Sequence, residues 1–250
     1  PSFPSANAFP FSVTENGDEG QILVDRWNSV VDTLSFIYDS LDEEYKNSFY
    51  EQIYHFALSY RNRNEEYVYY WKNNLYANQG RYASTKAYAD LSRKAVSRIK
   101  SDQAYYGSLN DGKWSKILNY DHVIGYQPDQ GALLVNDGKY TSASPAKGVG
   151  AVCEGQSLPT DNVTLTFNSL ADNSRFIDVF GKNIFEENYV IECDDFITLS
   201  KTSGSVYTED RIIVSIDWGK LSAGVTEGKI TVFNADTSGN KTDAVNSFNV

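Results

Sequence analysis

Arg211-Ile-Ile-Val-Ser-Ile-Asp217 carries four β-branched side chains between a charge at either end, and it reads as a strand through a core. Outward from it the same pattern recurs. Val163-Thr-Leu-Thr-Phe167, Arg175-Phe-Ile-Asp-Val-Phe180, Tyr189-Val-Ile-Glu-Cys193 and Phe196-Ile-Thr-Leu199 precede it, and Lys229-Ile-Thr-Val-Phe233 follows. Turn residues separate these runs at the spacing of a β-sandwich, so an immunoglobulin-like antiparallel sandwich is predicted from Gly148 onward.

Before residue 148 the period changes from strand to helix. Ile22, Leu23, Trp27, Val30, Val31, Leu34, Ile37, Tyr38 and Leu41 recur at three- and four-residue steps, which predicts an amphipathic helix. Gly17-Asp18-Glu19 gives that helix an acidic start. Asp42 is placed as an N-cap, with Glu43 and Glu44 in the first turn and Tyr45, Phe49, Ile53, Phe56 and Tyr60 along one face behind it. The pattern continues through Tyr67, Tyr70, Trp71 and Leu75, stops near Gly80, and resumes at Ala87, Leu91, Ala95 and Ile99. Sixteen of the eighteen tyrosines fall between Tyr38 and Tyr140, which supports two domains over one. The fold class expected is α+β and multidomain: an extended lead-in over 1–17, a helical bundle with a long ordered loop over 18–147, and a β-sandwich over 148–250. The loop, 107–147, shows no sustained period and is long enough to carry a role of its own.

The formal charge is -11 and the sequence pI about 4.7, so a nucleic-acid backbone or an anionic membrane surface is repelled. No apolar run approaches the roughly 20 residues of a membrane span. With no Met at any position, Pro1 is not a translation start, and a segment upstream is expected. Two sequons, at Asn162 and Asn240, sit in polar, turn-like stretches suited to glycans on a secreted, extracellular protein. Cys153 and Cys193 lie in or beside strand-like runs. Secretion permits a disulfide between them, and two separate thiols fit equally well.

Glycoside hydrolysis needs two carboxylates facing across a bond, and an acidic chain offers many accidental pairs. Glu43-Glu44, Glu65-Glu66, Glu186-Glu187 and Asp194-Asp195 are adjacent residues whose side chains diverge, and all four pairs are read as solvated surface. His55 and His122 are too few for a histidine metal site, so no metal is expected, and no cofactor fingerprint occurs. No catalytic residue is assigned. Trp114, His122 and Tyr126, close together in the long loop, have the ring faces and polar edges of a sugar-binding lip. The plainer reading is that they anchor the loop to the bundle.

Several ordered motifs resemble one family. Asn74-Leu-Tyr-Ala-Asn-Gln-Gly-Arg81, Asp111-Gly-Lys-Trp114, His122-Val-Ile-Gly-Tyr126 and Gly148-Val-Gly-Ala-Val-Cys-Glu-Gly155 are similar, in order, to stretches of the glycoside hydrolase family 115 α-glucuronidases. These stretches lie just after that family's catalytic barrel. Arg175–Phe180 and Arg211–Trp218 resemble strands of the sandwich that follows. Between Trp114 and His122 the chain departs from the family, reading Ser115-Lys-Ile-Leu-Asn-Tyr-Asp121, and Gln127 stands where the family continues with Trp.

The resemblance implies a secreted enzyme that removes (4-O-methyl)-α-glucuronic acid from glucuronoxylan, with its catalytic carboxylates on a barrel outside residues 1–250. This chain is then a non-catalytic portion, a scaffold and homodimerisation surface, with His122 and Tyr126 bordering the substrate cleft and Trp114 as anchor. The rival reading is a stand-alone carbohydrate-binding or adhesion module, since Phe196–Trp218 also resembles immunoglobulin-like modules that accompany glycan-degrading enzymes.

Overall fold

The computed structural model describes residues 11–115, 117, 141–142, 144, 147–171 and 174–250. His122 and Tyr126 lie outside these residues. The architecture is α+β, a helical region followed by antiparallel sheets: α1 (Glu19–Ser40), α2 (Glu43–Phe49), a π-helical turn (Tyr50–Tyr54), α3 (His55–Gln79) and α4 (Tyr82–Gly112), then β1 (Val149–Cys153) through β8 (Lys241–Asn249). The chain divides into two compact units. The first takes residues 1–13, 19–72 and 88–138, and the second takes 14–18, 73–87 and 139–250. Two short pieces, 14–18 and 73–87, therefore group with the sheets, where 1–17 was expected as a lead-in and 18–147 as the bundle.

In the first unit small apolar side chains make a thin core: Val24 and Val31 from α1, Ala57 and Val68 from α3, Ala89, Ala95, Val96 and Ile99 from α4. Polar and aromatic bridges reinforce it. Trp27 stacks on Tyr60 with ring centroids 5.2 Å apart, and the Tyr38 and Tyr105 hydroxyls meet at 3.0 Å. Glu65 and Glu66 are buried, against the surface position expected of them. The physical reason is local pairing: Glu66 accepts from Arg63 at 2.6 Å, and Glu65 is held by Arg98. The pairs at Glu43-Glu44 and Asp194-Asp195 are exposed, as expected.

In the second unit β2 (Arg175–Gly181), β4 (Ile197–Leu199) and β6 (Glu209–Ile216) join β1 in one four-stranded sheet, ordered β1-β2-β6-β4. The other sheet, β5-β3-β7-β8, is built from β3 (Glu187–Cys193), β5 (Ser203–Val206), β7 (Lys229–Ala235) and β8. Every pairing between named strands is antiparallel. All eight strands send side chains into one core, among them Ala151, Ile177, Val206, Ile212, Ile230 and Phe248. That single core makes the two sheets a sandwich.

Three strand expectations change. Val163–Phe167 contributes only a bridge from Thr164 to Asn249. Ser203–Val206 and Lys241–Asn249 are strands that hydrophobic patterning passes over, because both lie at sheet edges and are mostly exposed. Cys153 and Cys193 are free thiols, so the disulfide alternative is not realised. Cys153 sits on β1 and Cys193 on β3, in opposite sheets, and the Cys193 thiol points to the carbonyl of Ile197 at 3.5 Å.

Candidate functional site

The motif at Asn74–Arg81 becomes the end of α3 and the turn before α4. Gly80 supplies the left-handed conformation (φ +74°) that ends the helix, and Arg81 follows. Arg81 is 1 % exposed, buried against the outer face of the first sheet. Its Nη2 donates to Asp178 at 3.1 Å, its Nη1 to Glu209 at 2.8 Å, and its Nε to Gln79 at 2.6 Å. Its guanidinium lies over the rings of Tyr76 and Phe180, 4.0 and 4.7 Å from their centroids. Phe180 can cover the sheet here because its cross-strand partner is Gly150, where a Cβ would run into the ring.

Asp178 and Arg211 are direct cross-strand partners on β2 and β6. Arg211 grips Asp178 with two bonds, 2.8 and 3.0 Å, and reaches Asp18 at 2.9 Å with its remaining amino group. Burial acts to raise the Asp178 carboxyl, but Arg81 and Arg211 outweigh it and hold the group below the usual carboxylate range. Asp18 arrives through Asn16, Gly17 and Asp18, three successive residues with φ of 54°, 72° and 70°. The same bend brings the Gly17 N–H to Glu154 at 2.9 Å. Gln79 also donates to the Gln156 carbonyl at 3.1 Å. Gln79 and Arg81, with Tyr76 against the guanidinium, thus tie 73–87 onto the turn after β1 and onto β2 and β6 within one unit.

A second buried polar centre lies in the first unit. Asp102 of α4 accepts from the Tyr50 hydroxyl, stands 2.7 Å from His55 Nδ1, and meets Ser59 at 3.4 Å. Tyr50 and His55 are five residues apart, about 140° around an α-helix. The π-turn between them, closed by the His55 N–H to Tyr50 carbonyl bond, brings both to one side. The His–Asp pair has the chemistry of an oriented general base. Tyr106 packs on the imidazole at 4.5 Å, and His55 is buried, so the pair joins helices rather than facing a substrate.

Of the lip residues predicted from sequence, Trp114 is described. It is half-buried, its Nε1 donates to Glu51 at 2.8 Å, and Lys113 lies over its ring. Asn162 and Asn240 are both exposed, and Asn240 Nδ2 donates to Asp236 at 3.0 Å. Among the described residues no cluster of three metal-binding side chains occurs, and no helix is long and apolar enough to cross a membrane. The buried network itself was missed in the sequence. Its signal was available: Asp178 and Arg211 each interrupt or open an otherwise apolar strand.

No family model matches the chain, and no curated protein matches it. Solved structures give distant likenesses. One is a FixG-related protein from Vibrio parahaemolyticus, 17% identical, aligned over 40% of this chain and 93% of that one with a TM-score of 0.26. Another is a glycoside hydrolase family 115 4-O-methyl-α-glucuronidase with specificity for decorated arabinogalactans, 11% identical, aligned over 84% of this chain with a TM-score of 0.39. The chain spans 32% of that enzyme's length. At these TM-scores neither likeness carries an argument about function.

Proposed function

We propose that the chain is a non-catalytic accessory portion of a larger secreted α-glucuronidase acting on glucuronoxylan, and that its role is to hold a helical segment and a sandwich together beside a catalytic barrel. One observation supports this reading above the rest. Tyr76, Gln79 and Arg81, which carry much of the motif resemblance, are buried in the ion-pair network that fastens 73–87 to the first sheet. The resemblance therefore falls on residues that build the scaffold. Asp178 is also unsuited to the general-acid role of glycosidic cleavage, since it is held ionised between two guanidiniums and cannot serve as a proton donor near neutral pH. Homodimerisation belongs to the same proposal, with Phe36 of α1, 77 % exposed, as a contact residue.

The test has two arms. The purified 250-residue chain incubated with an aldouronic acid is expected to release no glucuronate, and release by this chain alone overturns the reading. In the full-length protein, Arg81→Met is expected to lower thermal stability while leaving kcat/KM at low temperature unchanged. A fall in kcat/KM at that temperature would place the network in the reaction.

A further inference from the structure

A groove of about 510 Å³ opens at the edge of the sandwich, between Thr164–Phe167 on one side and Trp218 with the 221–227 loop on the other. We propose that it binds a neutral oligosaccharide. The inference is independent of the α-glucuronidase reading and survives its failure.

The floor is rigid. Leu165 and Phe196 belong to the sandwich core, and Gly228 lies so close under Phe196 that a Cβ there would strike the ring. Backbone groups that an added peptide strand would need are already paired: Leu165 N–H bonds Asn249, and Gly228 and Val250 bond each other in both directions. A β-strand ligand is therefore poorly served.

The walls suit a sugar. Trp218 lines the groove and is 41 % exposed, enough ring to stack on a pyranose face. It is held by a 3₁₀ turn, Trp218–Lys220, in which Asp217 caps the Gly219 N–H at 3.2 Å. Five hydroxyls line the same groove, those of Thr164, Thr166, Ser169, Ser222 and Thr226. Among the described residues none of the five has a side-chain hydrogen bond to the protein. A hydroxyl both donates and accepts, which matches the hydroxyls of a sugar and gives little advantage to a purely apolar ligand.

Charge selects within the class. No lining side chain is cationic and one, Glu227, is acidic, on a chain of net charge -11. A uronate would meet repulsion with no counter-charge. The ligand is thus an uncharged stretch of polysaccharide rather than its acidic decoration.

Titration calorimetry of the 250-residue chain against xylohexaose, cellohexaose and an oligogalacturonate tests this. Binding of at least one neutral hexaose is expected, with the oligogalacturonate bound at least tenfold more weakly. Trp218→Ala should weaken the neutral sugar about tenfold by loss of the stacking face. Thr226→Arg, at an exposed loop position, should block the groove without touching the core. Far-UV circular dichroism verifies that both variants are folded. No heat with either neutral hexaose, equal or tighter binding of the acidic one, or affinity unchanged in both variants overturns the proposal. So does self-association that depends on Trp218 without sugar binding, measured by sedimentation, because it assigns the groove to a second copy of the chain.

Discussion

Replacing Arg81 with Met keeps most of the side-chain volume and removes the charge from a site that is 1 % exposed. Breaking a buried ion pair by deleting one partner typically costs about 3–5 kcal/mol, because the other charge stays behind. Here two features pull toward the lower end. Asp178 keeps both bonds to Arg211, and Glu209 is partly exposed and can rehydrate. The expected loss is therefore about 3 kcal/mol, or a fall in Tm of roughly 6–12 °C at about 2–4 °C per kcal/mol for a chain of this size. Urea denaturation, with hydrogen exchange read on β2 and β6 peptides, measures it. Adding Asp178→Asn to the variant should restore part of the loss, since the abandoned acid goes with its partner.

The acid limb supplies a second reading of the same substitution. Asp178 has a folded pKa below its unfolded value of about 3.9, so its contribution is present above that pH and is lost as pH falls through the folded pKa. With Arg81 gone the folded pKa moves up, and acid unfolding should begin at higher pH. A loss under about 1 kcal/mol together with an unshifted acid limb would refute the claim that this network holds the unit together.

Asp102→Asn should destabilise the first unit by about 2 kcal/mol, because the Tyr50 hydroxyl loses its carboxylate acceptor and His55 the carboxylate beside it; thermal melts of the variant measure this. Cys153 is buried and its thiol is pushed up to about 12 by that burial, so at pH 8 a disulfide reagent should modify Cys193 first and Cys153 only on unfolding. Peptide mapping by mass spectrometry distinguishes the two sites. Gly150→Ala should cost about 1–3 kcal/mol, as the new methyl displaces Phe180 and with it the ring under Arg81. The control, Ser205→Ala on an exposed edge position, should stay within about 0.5 kcal/mol in the same denaturation assay.

Much of this architecture is legible in the sequence where burial is one-sided or complete. Arg211–Asp217 and Lys229–Phe233 announce strands because the core takes their β-branched side chains. Lys241–Asn249 does not, because its side chains are mostly exposed and its pairing to β7 is carried by backbone. The candidate sites were harder to read for a different reason. Asp18, Arg81, Asp178 and Arg211 are separated by up to 193 positions, and a long-range ion pair leaves no periodic trace in either partner's neighbourhood. Glu65 and Glu66 show the converse error. Two adjacent acids look like surface until Arg63 and Arg98, three positions upstream and 33 downstream, are seen to neutralise them.

The π-turn at Tyr50–Tyr54 has a further consequence for how this helix can vary. It acts as an absorbed one-residue insertion: five residues here cover about the angle that four cover in an α-helix, so deleting a single residue from it would restore ordinary winding and leave everything after it in nearly the same rotational register with what comes before. Phe56 and Tyr60, now at the surface, and His55, beside Asp102, would keep their faces. A one-residue gap in this segment of a related chain would therefore go with the same exposed face on the bundle, whereas a turn straightened without loss of a residue would rotate that face by about 100°.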